Sequence, residues 1–255
     1  MKKLFFVICF ISINVFGEDY TVDNVFSDAP FEGAIVVENL DGSKRYVYND
    51  VRASSIFAVA STFKIPNTLI AVDENLVSDE SSIFEWDGSK YDIAAWNQNQ
   101  TLASAFSVSC VWCYQKIAKE VGAETYQRYI QAMHYGTLPH HFDVKNFWLD
   151  GTLRLSAYEQ VAFLKRLYAR DLPFSNKAFD VLKDIMLAEQ TERYSLFAKS
   201  GWARRVDNPV GWYVGYVESE TGVWFFATNL AVDDAKHLGL RKDISLRALE
   251  AVGAI

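Results

Sequence analysis

The stretch "VGWYVGYVESETGVWFFATNL", residues 210–230, decides the architecture. Its two runs, "VGWYVGYVE" (210–218) and "VWFFATNL" (223–230), are rich in β-branched and aromatic residues, and the turn-forming "SETG" separates them. That pattern is a β-hairpin. Near the other end of the chain, "GAIVVEN" (33–39) and "KRYVYND" (44–50) flank Asp41-Gly42, a pair suited to the positive φ of a tight hairpin turn. The middle is helical. "SAYEQVAFLKRLYARDLP" (156–173) opens with a capping box, Ser156 with Glu159, and stops before Pro173. "KIAKEVGAETYQRYIQAM" (116–133) keeps helical apolar spacing around a break at Gly122. Strands from both ends of a chain that share one antiparallel sheet, with helices between them, make an α+β protein. We expect an antiparallel sheet flanked by helices, built as an α/β lobe from both chain ends and a helical lobe over roughly residues 56–190. A cleft between such lobes is a common place for a site.

Composition narrows what that site can serve. Half of the 255 residues are hydrophobic, enough for a sizeable core. "MKKLFFVICFISINVFG" (1–17) combines two lysines, an apolar segment and small residues before a cut after Gly17, the pattern of a secretory signal. The expected mature chain is then 18–255, a single catalytic domain, periplasmic or secreted. Losing Lys2 and Lys3 leaves 23 basic against 32 acidic residues, a formal charge of −9. Such an acidic chain is a poor partner for nucleic acid or for an anionic membrane surface. Cys9 leaves with the signal. Cys110 and Cys113, in "CVWC", admit a thioredoxin-type or metal reading. Two cysteines at i and i+3 of one helix hold their Cβ atoms about 5–6 Å apart, too far for a relaxed disulfide, so we expect a pair of packing thiols.

"ASTFKIPNTLI" (60–70) is odd for a buried helix. It sets Ser61 three residues before Lys64, with Pro66 two places on. Positions i and i+3 share a face, so the hydroxyl and the amine can meet. Pro66 requires either a helix that starts near Lys64 or a distorted first turn that includes Ser61. Read alone, these residues fit a capping serine with a snorkelling lysine as well as they fit a nucleophile beside a base. One Ser-x-x-Lys is expected by chance in a chain of this length, given serine and lysine at roughly 7% and 6%.

Two further tripeptides follow: Ser109-Cys110-Val111 in "SVSCVWCYQ" and Lys199-Ser200-Gly201 in "LFAKSGWA". Ser-x-x-Lys, Ser-x-Val and Lys-Ser-Gly, in that order and 48 and 90 residues apart, resemble the penicillin-recognising serine enzymes, and among them the class D, oxacillinase-type β-lactamases. "FWLDG" (147–151), "LRLSAYEQ" (153–160), "VGWYVGYVE" (210–218) and "LRK" (240–242) extend the resemblance over nearly the whole mature chain.

The resemblance implies a serine β-lactamase/D,D-peptidase-like fold and hydrolysis of the β-lactam amide of penicillin-type antibiotics, conferring resistance. It implies Ser61 as nucleophile and Lys64, N-carboxylated by CO2, as general base, with the Trp148 indole N–H holding the carbamate. Ser109 and Lys199 would pass a proton to the departing lactam nitrogen. Val111 would form a dry wall that keeps Lys64 neutral. The backbone N–H groups of Ser61 and Trp202 would form an oxyanion hole. Ser200 and Arg241 would bind the substrate carboxylate, with Gly201 between the binding residues. It implies no metal and no cofactor beyond CO2, β-lactam antibiotics as the partners, and a monomer or homodimer.

This chain departs from the family where Tyr135-Gly136-Thr137 replaces the usual Tyr-Gly-Asn, followed by "LPHHF". We expect His140 and His141 there to face solvent. Two related classes share the motifs. Penicillin sensor domains acylate without turnover but hang from transmembrane helices, and D,D-peptidases more often carry asparagine in the second motif. Many turnovers of a chromogenic cephalosporin, against a single stoichiometric burst, separate a lactamase from both.

Overall fold

The computed structural model describes residues 20–27 and 29–255, so the expected signal, 1–17, lies outside the described residues. From the N-terminus run α1 (Tyr20–Phe26), β1 (Gly33–Asn39), β2 (Arg45–Tyr48), α2 (Asp50–Ser54) and a short β3 (Phe57–Ala58). A 3-10 turn, Ala60–Phe63, leads into α3 (Lys64–Asp73), followed by β4 (Ile83–Phe84), β5 (Gln100–Thr101) and α4 (Leu102–Ser107). Then come α5 (Val111–Val121), α6 (Ala123–Met133), β6 (Arg154–Leu155), α7 (Ala157–Tyr168) and α8 (Asn176–Met186). The chain returns through β7 (Leu187–Gln190), β8 (Tyr194–Ala203), β9 (Val210–Ser219) and β10 (Gly222–Leu230), and ends in α9 (Leu240–Ala251).

The hairpin at 210–230 forms, and Ser219 pairs with Gly222, so the link is only Glu220 and Thr221. It lies at the centre of a six-stranded sheet ordered β2-β1-β10-β9-β8-β7, antiparallel throughout. Both expected hairpins therefore share one sheet. Their strands read as unbroken apolar runs because both faces are covered. Trp212, Val214, Tyr216, Phe225 and Ala227 point into the core under the central helices, whereas Tyr213, Val217, Trp224, Phe226 and Leu230 pack with α1 and α9. Truncating Phe225 to alanine in such a core costs about 3–5 kcal/mol.

Local signals set the helix limits. Ser156 and Glu159 form the reciprocal capping box of α7. Gly122, at φ +77°, ends α5 and opens α6, which is the break read from the sequence.

The two cysteines correct the expectation of free thiols: Cys110 and Cys113 form a disulfide with Cα atoms 5.5 Å apart. The expectation assumed that both lie within one helix. Cys110 is instead the N-cap of α5, with ψ 107° and outside the helical geometry, so the helical Cβ separation does not apply to it. The Cα spacing falls within the range disulfides use.

Candidate active site

Ser61 sits in the 3-10 turn that precedes α3. The residue before it, Ala60, has φ +50°, a left-handed conformation that costs a residue with a Cβ about 1 kcal/mol. The surroundings hold the turn in place. Thr62 Oγ1 donates to the Val59 carbonyl at 2.6 Å and accepts from Gln160 Nε2 at 3.0 Å. Gly201 of β8 packs against the same turn, because a Cβ there would lie 3.2 Å from the Thr62 nitrogen and 3.3 Å from Ala60 Cβ. Pro66 is the third residue of α3, among the first-turn positions whose N–H has no intrahelical acceptor, so it breaks no bond.

Lys64 opens α3 and is 1% exposed. Its Nζ donates to Ser61 Oγ at 3.2 Å. Burial, and then the charge of Lys199, hold its amine well below the ordinary lysine range. The group found against this amine is the Tyr114 ring, 4.7 Å from Nζ to the centroid. Tyr114 lies one turn beyond Val111, the half-buried first residue of α5, and its hydroxyl pairs with Thr68 Oγ1 at 2.8 Å. Sequence reasoning missed this tyrosine, although its i+3 spacing from Val111 marked it as facing the same way.

Trp148 is 1% exposed and stacks on Phe63, the residue before Lys64, with centroids 5.8 Å apart. Its Nε1–H is buried with no hydrogen-bond partner among the described residues. Leaving such a donor unsatisfied costs about 1–3 kcal/mol.

Ser109 follows α4 at φ +55°. The Cys110 N–H reaches the Ala105 carbonyl at 2.8 Å, and the Ser109 N–H reaches Phe106 at 3.2 Å. These two bonds are the Schellman pattern that ends a helix, and Ser109 occupies the left-handed position usually given to glycine. Its hydroxyl accepts from Lys199 Nζ at 2.6 Å. Lys199, buried on β8, is pushed down to about 7 by burial and then by Arg241.

Ser200, Gly201 and Trp202 continue along β8, and the Trp202 indole donates to the Val232 carbonyl at 2.9 Å. Arg241, on the first turn of α9, donates through Nη1 to the Gly201 carbonyl at 2.6 Å and through Nε to Leu238 at 2.7 Å. Its stem passes over Gly211, where a Cβ would come within 2.8 Å of Cδ. Burial pulls its guanidinium down to about 10. Lys64 thus contacts Ser61 and Lys199 contacts Ser109. The charge of Lys199 acts on Lys64, and Gly201, whose carbonyl Arg241 binds, packs on the turn that carries Ser61. His140 and His141 are exposed and pack edge to face on each other. A cavity of about 260 Å³ lined by α7, α8 and β9 side chains involves none of these residues.

Residues 31–250 match the family described as the penicillin binding protein transpeptidase domain. The chain is 39% identical over 225 residues to the β-lactamase OXA-48 of Klebsiella pneumoniae, covering 88% of this chain and 85% of that one. It is 41% identical over 233 residues to OXA-20 of Pseudomonas aeruginosa, covering 90% and 86%. Among solved structures, the class D β-lactamase YbXI from Nostoc superposes with a TM-score of 0.88 at 36% identity, covering 91% of this chain and 98% of that one. FUS-1 (OXA-85), a class D β-lactamase from Fusobacterium nucleatum subsp. polymorphum, gives 0.89 at 34% identity, covering 94% and 100%.

Proposed function

The chain belongs to the penicillin binding protein transpeptidase family and, within it, to the class D β-lactamases, and from that premise we propose that it opens β-lactam rings through an acyl-enzyme on Ser61, with Lys64 as the base. The class needs no cofactor. The observation that carries the reading is the buried Lys64 amine donating to the Ser61 hydroxyl at 3.2 Å.

Burial favours the neutral amine, and a neutral amine adds CO2 to give a carbamate with release of one proton. The carbamate supplies a carboxylate-type general base where an ammonium supplies none. The residues present suit it: the orphaned Trp148 N–H belongs to the same buried cluster, through Phe63, and is a donor in need of an acceptor. Ser61 Oγ gives up its proton and attacks the lactam carbonyl, the ring C–N bond breaks, and Lys199 with Ser109 returns a proton to the leaving nitrogen. An amine near 7 both holds and releases that proton at neutral pH. The main-chain N–H groups of Ser61 and Trp202 receive the developing oxyanion, where losing one donor typically costs 100- to 1000-fold. Ser200 and Arg241 receive the substrate carboxylate, with Gly201 between them, and Val111 with Tyr114 keeps the base dry. A water then hydrolyses the acyl-enzyme with the same base.

We infer export as well. The apolar 1–17 segment reads as a signal, leaving 18–255 as the catalytic domain in the periplasm or medium. The Cys110–Cys113 disulfide suits an oxidising compartment. Among the described residues no helix is long and apolar enough to cross a membrane.

Intact-protein mass spectrometry after a penicillin pulse tests the core of this reading. The adduct is expected on the peptide containing Ser61, with hydrolysis abolished in Ser61→Ala, and an adduct elsewhere removes Ser61 as the nucleophile.

A further inference from the structure

The disulfide begins inside the second motif, at Cys110 next to Ser109, and closes on Cys113 just beyond it, three residues on. Val108, Ser109 and Cys110 form the whole link between two helices, with Val108 the C-cap of α4, Ser109 in the left-handed conformation and Cys110 the N-cap of α5. Helix N-caps are ordinarily Ser, Thr, Asp or Asn, whose oxygen accepts the N–H three residues on. Cys110 supplies sulfur, a weak acceptor, and Cys113 N–H meets it at 3.3 Å. The covalent bond to Cys113 does what a strong cap does elsewhere.

Other braces hold the preceding residue. Trp96 Nε1 donates to the Val108 carbonyl at 2.9 Å, and Trp112 Nε1 donates to the Trp96 carbonyl at 3.0 Å. After Ser109 the disulfide is the covalent restraint. A bridge this short constrains an unfolded chain less than a long one does, so its value lies in local geometry. Both cysteines are fully buried, which leaves a partner protein's thiolate no sulfur to attack and sets aside thiol exchange as the purpose of "CVWC".

We propose that the Cys110–Cys113 disulfide is a positioning element of the reaction: as a covalent N-cap it holds the left-handed Ser109 so that its hydroxyl stays on Lys199. The inference rests on the proton-relay role given to Ser109 and Lys199 above. Opening the bridge takes two electrons and two protons from a dithiol such as dithiothreitol and leaves two thiols. The link is then free to leave the left-handed conformation, and Ser109 Oγ moves off Lys199. Substrate binding, which uses Ser200 and Arg241, changes little.

The test is stopped-flow acylation by a penicillin, which separates the acylation rate constant from the substrate Kd. Two double variants are compared with wild type. Cys110→Ser/Cys113→Ala keeps a hydrogen-bonding cap, and Cys110→Ala/Cys113→Ser has none. Wild type unfolded and refolded in dithiothreitol, with its thiols counted by alkylation and mass, provides a variant-free arm. The capless variant and the reduced enzyme are expected to acylate about tenfold more slowly or worse, in line with the cost of small misplacements. Their Kd should stay within about threefold, and the serine-capped variant should recover much of the rate. Acylation within twofold of wild type in both the reduced and the capless enzymes overturns the proposal. So does a capped variant as slow as the capless one, or a Kd that collapses together with the rate. Ser109→Ala is run alongside: unimpaired acylation there fells the relay reading itself, whereas a slow Ser109→Ala beside fast disulfide-free enzymes fells only the role of the bridge.

Discussion

Lys199 Nζ donates to Ser109 Oγ at 2.6 Å, joining β8 to the link between α4 and α5. The amine lies beside Phe106, and its burial and then the repulsion of Arg241 favour the neutral form. An amine lowered in the fold binds its proton less tightly there than in the unfolded chain. Stability linked to Lys199 is therefore lost below about 7 and rises with pH from there towards the ordinary lysine value of 10.5. Urea unfolding across that window should show a rising contribution in wild type that is missing from Lys199→Met. Parallel curves for the two proteins would mean that Lys199 titrates normally.

Gly201 permits β8 to lie against the turn that carries Ser61. In Gly201→Ala the new Cβ falls 3.2 Å from the Thr62 nitrogen and 3.3 Å from Ala60 Cβ, the two residues that flank the nucleophile. The turn and the strand must separate by a few tenths of an ångström, and we expect kcat to fall about ten- to a hundredfold. A melting temperature and kcat that both match wild type would show that this close approach is not needed.

Arg241 is tied to the Gly201 and Leu238 carbonyls through Nη1 and Nε, which sets its guanidinium beside the Lys-Ser-Gly strand. Arg241→Ala should raise KM more than it lowers kcat, because a clamp on a non-reacting carboxylate binds ground and transition states alike. The loss of a charge-assisted bond, about 1.5–3 kcal/mol, corresponds to ten- to a hundredfold in KM. Arg241→Lys keeps the charge and loses the planar fork, so an intermediate KM is expected. An unchanged KM in Arg241→Ala removes it from the substrate site.

The sequence made the sheet and the helix limits legible because those signals are local: Asp41-Gly42 between two apolar runs, Ser156 with Glu159, and Gly122 between two periodic stretches. The contacts of Ser61 with Lys64 and of Ser109 with Lys199 follow motifs whose spacing resembled a known family. Other parts were hidden. The i, i+3 spacing of Cys110 and Cys113 reads as two positions of one helix, which argues against a disulfide; the N-cap of α5 is Cys110 itself and not the neighbouring Ser109, so nothing local places it outside the helix. The left-handed conformations of Ala60 and Ser109 carry no glycine to announce them. Tyr114 against Lys64 and Trp96 against Val108 join segments whose meeting depends on tertiary packing, which no local pattern encodes.

Trp148 separates a carbamate base from a free amine. Its Nε1–H is buried without a partner among the described residues, while its ring packs on Phe63 and Phe147. Trp148→Phe keeps much of that packing and removes the donor, so the fold is expected to persist. A carbamate is in equilibrium with amine and CO2 and is lost when the amine takes up a proton. Because burial depresses Lys64, the neutral amine, and with it the base, is present above the lowered pKa and disappears as pH falls through it. Activity should therefore fall on the acid side and be restored by bicarbonate, and Trp148→Phe should need more bicarbonate than wild type at every pH. Val111→Asp should behave similarly, since a carboxylate at the start of α5 favours the ammonium. The measurement is a bicarbonate titration of the hydrolysis rate together with 13C NMR of enzyme equilibrated with labelled bicarbonate. A carbamate resonance in wild type that weakens in Trp148→Phe and is absent from Lys64→Ala is the expected result. A rate indifferent to bicarbonate from acid to neutral pH, with no such resonance, would leave Lys64 acting as a free amine on Ser61.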